Sequence, residues 1–336
     1  VRPVNLKTDL PALADLIELA FASTMDSGGR AAIREMRALS HVGAGLHMLS
    51  HMNEMMQGVG LGYVYMHDGR LAGNVSIYPA SLPPEARPGS IIANVAVHPD
   101  YRGRGIARAL MLKTLETLEA RAAPGTTPTA LLQVEADNFA AYSLYYSLGF
   151  YPEGTWTTWR RPAGARVPPP LAGAPYMAHR GRGAWRGELA LARRVRPDVA
   201  GGIGWLRPLV PSVFQRGLLR WLGDMFNLRS IERLLIAAPD TPTASADTPP
   251  RGVLWIESGF AAATQLTLFT AEGDREAAEA LLVTAVRRFG VRDALTIEHP
   301  HDDPIAGELL ADYGFVRQRT LTHMRWQPRP KHSASP

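Results

Sequence analysis

Cysteine is absent from all 336 residues, which excludes disulfides, a Cys-based zinc site and a thiol nucleophile, and makes a reducing cytoplasm the expected compartment. No apolar run approaches the roughly 20 residues of a membrane span, and the beginning of the sequence lacks the charged-then-apolar pattern of a signal segment. A soluble, intracellular protein is expected. Aromatic residues are only 8% of the chain, with no interleaved stacking signature and no helix-turn-helix pattern. The net charge of +5 therefore does not favour nucleic acid as a partner. The arginines are spread, apart from a cluster at residues 178–196.

Two nucleotide fingerprints are also missing. "VHPDYRGRGIARALML" (residues 97–112) follows an apolar run in which Ile92, Val95 and Val97 read as a strand, and Ile106, Ala109, Leu110, Leu112 and Leu115 then recur at roughly helical spacing. A strand, a glycine turn and a helix N-terminus bring free backbone N–H groups, a partial positive charge and close main-chain approach to one point, with Arg102 and Arg104 beside it. That turn suits phosphate. A dinucleotide fingerprint needs a third glycine where Arg108 stands, and the Gly-Lys-Ser/Thr of a P-loop does not occur.

What the turn does match is the acyl-CoA signature Arg/Gln-x-x-Gly-x-Gly/Ala, through Arg102, Gly105 and Ala107. Some thirty residues later "LLQVEADNFAAYSLYYSLGFYPEG" meets the pattern Asn-x-x-Ala-x-x-Leu-Tyr-x-x-x-Gly-Phe with Asn138, Ala141, Leu144, Tyr145, Gly149 and Phe150. On these two motifs residues 1–162 resemble the GCN5-related N-acetyltransferase (GNAT) superfamily. The resemblance implies the order β-α-α-β-β-β-α-β-α-β, with acetyl-CoA as cosubstrate. It is to be held by Val95, Ala96 and Val97 of the fourth strand, by Arg102, Gly103, Arg104, Gly105, Ile106 and Ala107 of the turn, and by Asn138. "DLPALADLIELAFAS" reads as the first helix, with Asp9 as N-cap and Pro11 in the first turn, and Asp68-Gly69 as a hairpin turn.

One such unit uses half the chain. "RPAGARVPPPLAGAP" (residues 161–175) reads as a linker, and residues 163–336 then repeat the order strand, strand, helix, strand, helix, strand, with Tyr313-Gly314-Phe315 echoing Leu148-Gly149-Phe150. The expected fold is α/β: two tandem GNAT-like domains, each a mixed, mostly antiparallel twisted sheet flanked by helices. The second has Glu272, Gly273, Asp274, Arg275 and Glu276 at the phosphate turn, Leu310 at the place of Tyr145 and Asp303 at that of Asn138. Its acidic turn would repel a pyrophosphate, so a degenerate, non-catalytic copy is expected. Residues 239–250 and the tail at 327–336 read as disordered.

Acetyl transfer to an amine needs a polarised thioester carbonyl, a neutral nucleophile and a proton for the leaving thiolate. The resemblance assigns the carbonyl to a backbone N–H of Val95, Ala96 or Val97, and the thiolate proton to Tyr145. For the base, Glu135 is the candidate, because Asn94, where some relatives carry an acid, cannot take a proton. The acceptor is a primary amine of a small molecule or a peptide; a non-enzymatic acyl-CoA sensor or interaction module is the alternative. No metal is expected. His47 and His51 lie in a methionine-rich helical stripe at residues 46–58, which reads as an apolar acceptor-side wall, and His299, His301, Asp302 and Asp303 read as a strand-end turn. The arginine cluster at 178–196 reads as a solvated face or a positive rim for CoA phosphates.

Overall fold

The computed structural model describes residues 1–22, 25, 27–41, 62–83, 85, 89–175, 177–178, 180, 183–215, 230–238, 248–259 and 263–328. The first half runs β1 (Arg2–Pro3), α1 (Leu6–Phe21), α2 (Ser27–His41), β2 (Gly62–His67), β3 (Arg70–Pro79), β4 (Gly89–Val97), α3 (Ile106–Arg121), β5 (Thr129–Glu135), α4 (Phe139–Ser147) and β6 (Tyr151–Arg161). The second runs β7 (Met177–Ala178), α5 (Trp185–Val195), a short helix α6 (Pro211–Phe214), β8 (Ser230–Ile236), β9 (Gly252–Ser258), β10 (Thr264–Thr270), α7 (Arg275–Phe289), β11 (Leu295–Pro300), α8 (Pro304–Asp312) and β12 (Val316–Trp326). The methionine-rich segment at 46–58, residues 239–247 of the expected disordered stretch and the last residues from 329 lie outside the described residues.

The first helix begins earlier than its cap signal suggested. Asn5 is the N-cap, its side chain accepting from the Lys7 N–H at 3.0 Å. Asp9 lies one turn inside and buried, where it accepts from the Asn5 N–H at 2.8 Å and from both Arg2 Nη atoms at 2.7 Å. Its carboxylate thus works back onto the cap residue, as the acid of a capping box does, and Pro11 falls beyond the first turn.

Twelve strands form one sheet, in the order β1-β2-β3-β4-β5-β12-β6-β11-β10-β9-β8-β7. The order is a palindrome of the two halves with their last strands exchanged. β12 pairs antiparallel with β5, Leu321 opposite Glu135 and Trp326 opposite Ala130, while β6 pairs with β11, Arg161 opposite Leu295. At the centre β6 and β12 pair with each other, tied by hydroxyl contacts Thr157–Thr320 at 3.0 Å and Thr155–Thr322 at 3.1 Å. One sheet therefore crosses residue 162.

The cores follow the exchange. Met324 and Trp326 of β12 pack with Leu110, Met111, Leu132, Val134 and Phe150 under α3 and α4. Trp159 of β6 packs with Leu281, Val286, Ile297 and Leu310 under α7 and α8. Alternation along each strand sends the opposite residues to the other face, where α1 and α2 cover the first half and α5 covers the second with Phe214 and Trp255. Arg161, buried at the end of β6, donates to the carbonyls of Ala165, Arg166, Gly290 and Tyr313, so the start of the proline-rich stretch is bound to the second half.

The arginine-rich stretch at 178–196 differs from its reading as a solvated face or rim. It contains α5, which buries Leu189, Leu191 and Ala192, and a wholly buried Glu188 that takes hydrogen bonds from Arg180, Arg233 and Trp255 Nε1. Arginine content hid the apolar stripe, because the cations lie on one side of a helix whose other side is core.

Candidate active site

β4 and β5 run parallel and pair only at Gly89–Thr129, Ser90–Ala130 and Ile91–Leu131. From Ile92 onward the edge of β4 facing β5 has no ladder, and a slit opens through the sheet. A bulge lies in the same stretch of β4. Asn74 is opposite Ala96 but Ser76 is opposite Ala93, so β4 carries one extra residue, and Asn94 takes a left-handed φ of 50°. Asn74 Nδ2 donates to the Asn94 carbonyl at 3.1 Å and Asn94 Nδ2 donates to Ser76 Oγ at 3.2 Å, which hold the distortion in place. Val95, Ala96 and Val97 follow the bulge along this open edge. Its backbone is thus available to a group lying in the slit. A strand with an extra residue has no signature in composition; the tolerance of Asn for left-handed backbone was the only sequence sign.

Past β4, Pro99–Tyr101 form one 3₁₀ turn, and Arg102, Gly103, Arg104 and Gly105 are exposed. Gly103 and Gly105 have φ of 75° and 74°, and a Cβ on either would meet nothing within 4 Å. Glycine is needed here for the backbone shape, and the space above the main chain is open. Gly105 is the N-cap of α3 and gives the helix no side-chain cap. Arg102 Nε reaches the Val97 carbonyl at 3.4 Å and Arg104 Nη2 the Asp100 carbonyl at 3.2 Å. Uncapped N–H groups of Ile106 and Ala107 and two exposed guanidinium groups converge on one side of the slit.

Across the slit, α4 is capped by Asn138, whose Oδ1 accepts from the Ala141 N–H at 3.1 Å. Tyr145 is 6% exposed and packs against Phe150 in the core beneath α3 and α4. Burial pushes its phenol up to about 12, so the hydroxyl stays protonated at every physiological pH and is a donor. Glu135, at the end of β5, is raised above the ordinary carboxylate value by its partial burial and by Asp137, against the pull of Arg319. Arg319 comes from the other half. It is two residues from Leu321, the partner of Glu135, on the same face of β12. Only the strand exchange brings it there.

The second half repeats this frame and sets paired charged side chains across it. β10 and β11 also pair over three positions, Thr264–Leu295, Gln265–Thr296 and Leu266–Ile297, and then part. β9 and β10 pair without a bulge. The N-cap of α7 is Asp274, whose Oδ1 accepts from the Ala277 N–H at 3.1 Å while Arg251 holds the same carboxylate by two hydrogen bonds of 2.8 Å. From the opposite face of the sheet Arg196, the C-cap of α5, reaches across: its Nη2 lies 2.9 Å from His299 Nε2 and 3.2 Å from Asp303 Oδ2. A cavity of about 830 Å³ remains beside these groups. Burial, together with the Arg196 charge, pushes the His299 imidazole down to about 4. His299 and Asp303 are therefore tied to a guanidinium, and the segment from His299 to Asp303 is a strand-end turn leading into the cap of α8. Among the described residues no three His, Cys, Asp or Glu are grouped to hold a metal ion. No helix among them is long and apolar enough to cross a membrane.

Residues 37–150 match the model of the acetyltransferase (GNAT) family. A stretch of 57 residues, 17% of this chain, is 46% identical to the [ribosomal protein bS18]-alanine N-acetyltransferase of Escherichia coli (strain K12) and spans 36% of that relative. Among solved structures, the GCN5-related N-acetyltransferase of Sphaerobacter thermophilus superposes with a TM-score of 0.56 at 15% identity, covering 98% of this chain and 95% of that one. That likeness extends the shared fold over both halves. The matched region, which contains the glycine turn and the stretch where β4 and β5 part, is thus similar to the GNAT acetyltransferases.

Proposed function

We propose that the chain transfers an acetyl group from acetyl-CoA to the primary amine of a small molecule or a peptide, in the first half alone. The observation that carries this reading is the uncapped start of α3 behind Gly103 and Gly105, beside the place where β4 and β5 part, with a buried, protonated Tyr145 on the neighbouring α4. The pyrophosphate takes the N–H groups of the turn and the charges of Arg102 and Arg104. Asn138, with its Nδ2 still free to donate, meets the chain that runs into the slit. The thioester carbonyl is aligned by a backbone N–H of the bulged stretch from Val95 to Val97.

Glu135 is the base in this reading. Its raised pKa makes it a better proton acceptor than an ordinary solvated carboxylate, and the incoming ammonium loses its proton to it. The amine nitrogen bonds to the carbonyl carbon, the C–S bond breaks as the Tyr145 hydroxyl passes its proton to the departing sulfur, and the second proton shed by the nitrogen goes to solvent, from which Tyr145 is reprotonated. The phenol is too weak an acid to ionise first, so it acts by hydrogen bonding and passes its proton only as negative charge develops. β12 completes the wall next to β5, which makes the working unit residues 1–162 together with the last strand of the second half.

The test is acetyl-CoA turnover, followed by free thiol, against polyamines, aminoglycosides, amino acids and peptide N-termini. Tyr145→Phe is expected to keep CoA affinity and lower kcat by about 10²-fold. Near-normal kcat would remove Tyr145 from the acid role. Thermal stabilisation by CoA with no thiol released against any acceptor would instead favour the binding-module reading.

A further inference from the structure

One side of α4 is unusual for a helix next to solvent. Phe139 is 75% exposed and Tyr146 62% exposed, and with Tyr142 they follow the i, i+3, i+7 spacing of a single stripe. The rings of Tyr142 and Tyr146 are parallel to within 9°, with centroids 6.3 Å apart. Tyr142 is half-buried against the first core, whereas the rings of Phe139 and Tyr146 stand in solvent, a poor environment for them, with no described element over them.

Its position is specific. Arg108, on the first turn of α3, donates to Ser147 Oγ at 2.9 Å, so the end of α4 that carries Tyr146 is bound to the end of α3 that opens at Gly105. Arg108 is three positions after Gly105, a rise of about 4.5 Å. The aromatic stripe therefore begins beside a turn that presents Arg102, Arg104 and Arg108.

Comparison with the second half isolates the pairing of these features. Aligned on the caps Asn138 and Asp303, the positions of Phe139, Tyr142 and Tyr146 are occupied by Pro304, Gly307 and Ala311, and aligned on Gly105 and Asp274, Arg108 becomes Ala277. The half with a sealed helix N-terminus has no aromatic stripe. If the stripe served the packing of α4, both halves would need it, because both helices cover the same kind of core.

We propose that Phe139, Tyr142 and Tyr146 form a stacking platform for the adenine base of acyl-CoA, next to the turn that takes its pyrophosphate. This rests on the reading of the turn given above. A flat aromatic base has both an apolar face to cover and a phosphate to anchor it, and the platform and the arginine-rich turn offer the two complements side by side.

The experiment measures affinity of the full chain for acetyl-CoA and for acetyl-4′-phosphopantetheine, which lacks the adenosine portion, by calorimetry. The double variant Phe139→Ala/Tyr146→Ala removes two exposed rings and is expected to weaken acetyl-CoA binding about tenfold, leave acetyl-4′-phosphopantetheine unchanged, and recover with Tyr146→Trp in place of Tyr146→Ala. Unchanged acetyl-CoA affinity, or equal weakening of both ligands, overturns the platform. So does a self-association lost in the variant while CoA affinity stays the same, which would give the stripe to a second copy of the chain. A native chain that binds neither ligand overturns the acyl-CoA reading of the turn instead, so the two failures are distinct.

Discussion

The N-termini of α3 and α7 begin at equivalent places in the two halves and have opposite uses. Gly105 leaves the first helix without a side-chain cap under open space, whereas Asp274 satisfies its own helix and is itself neutralised by Arg251. A helix N-terminus holds free N–H groups and partial positive charge that something must complement. In the second half the protein supplies the anion itself, and in the first its N-cap residue supplies none. The slits tell the same story, since the second contains the Arg196–His299–Asp303 contacts and the first does not repeat them. Where the second half differs from the first, internal partners complement its helix N-terminus and hold the frame.

The largest effect should come from cutting the two halves apart. A chain ending at Arg161 loses β12, so β5 becomes an uncovered edge and Met324 and Trp326 leave the first core. It is expected to aggregate or to lose cooperative unfolding, as sedimentation and thermal denaturation would report. A soluble truncated chain with unchanged kinetics would show that the exchange has no role in the first site.

Copying one cap onto the other is the next strongest test. Gly105→Asp gives α3 the residue that seals α7, in open space, and is expected to abolish thermal stabilisation by CoA while the chain stays folded. The converse change, Asp274→Gly, should not create a second site, because Arg196 still bridges the slit and β10 has no bulge; calorimetry should report one CoA per chain in both the native protein and this variant.

A smaller effect sharpens the comparison in pH. Burial and Arg196 depress the His299 imidazole from the ordinary value of 6.5 to about 4. The unfolded chain therefore binds this proton first. The contribution is fully present above 6.5 and is lost as pH falls toward 4. Denaturation of the native chain should show this loss and His299→Gln should flatten it, whereas CoA affinity, which we assign to the other half, should be the same in both proteins.

Much of this was legible along the chain. The two glycines, the Asn138-to-Phe150 pattern and the second Gly-Phe pair are local signals, and each fell on the turn or helix expected of it. The cap of α1 was misread because Asp9 binds back to Asn5 from inside the helix, and a carboxylate at either position looks the same in a linear pattern. α5 was missed because Arg186, Arg193 and Arg194 stand among its buried residues in the linear sequence. Arg319 beside Glu135 carried no signal at all, being 184 positions away in sequence.

Sequence alone determined what depends on neighbours in the chain: which segments are strands or helices, where glycine is required for left-handed backbone, and that the second turn carries acidic residues where the first carries arginines. Tertiary structure decided the rest. Strand pairing depends on hydrogen bonds that any extended segment can offer, so nothing in the residues of β6 and β12 says that they trade places; only burial of Met324, Trp326 and Trp159 in the two cores selects that arrangement. The bulge at Asn94, the passage of Arg196 through the second slit and the arrival of Arg319 beside Glu135 are consequences of that packing.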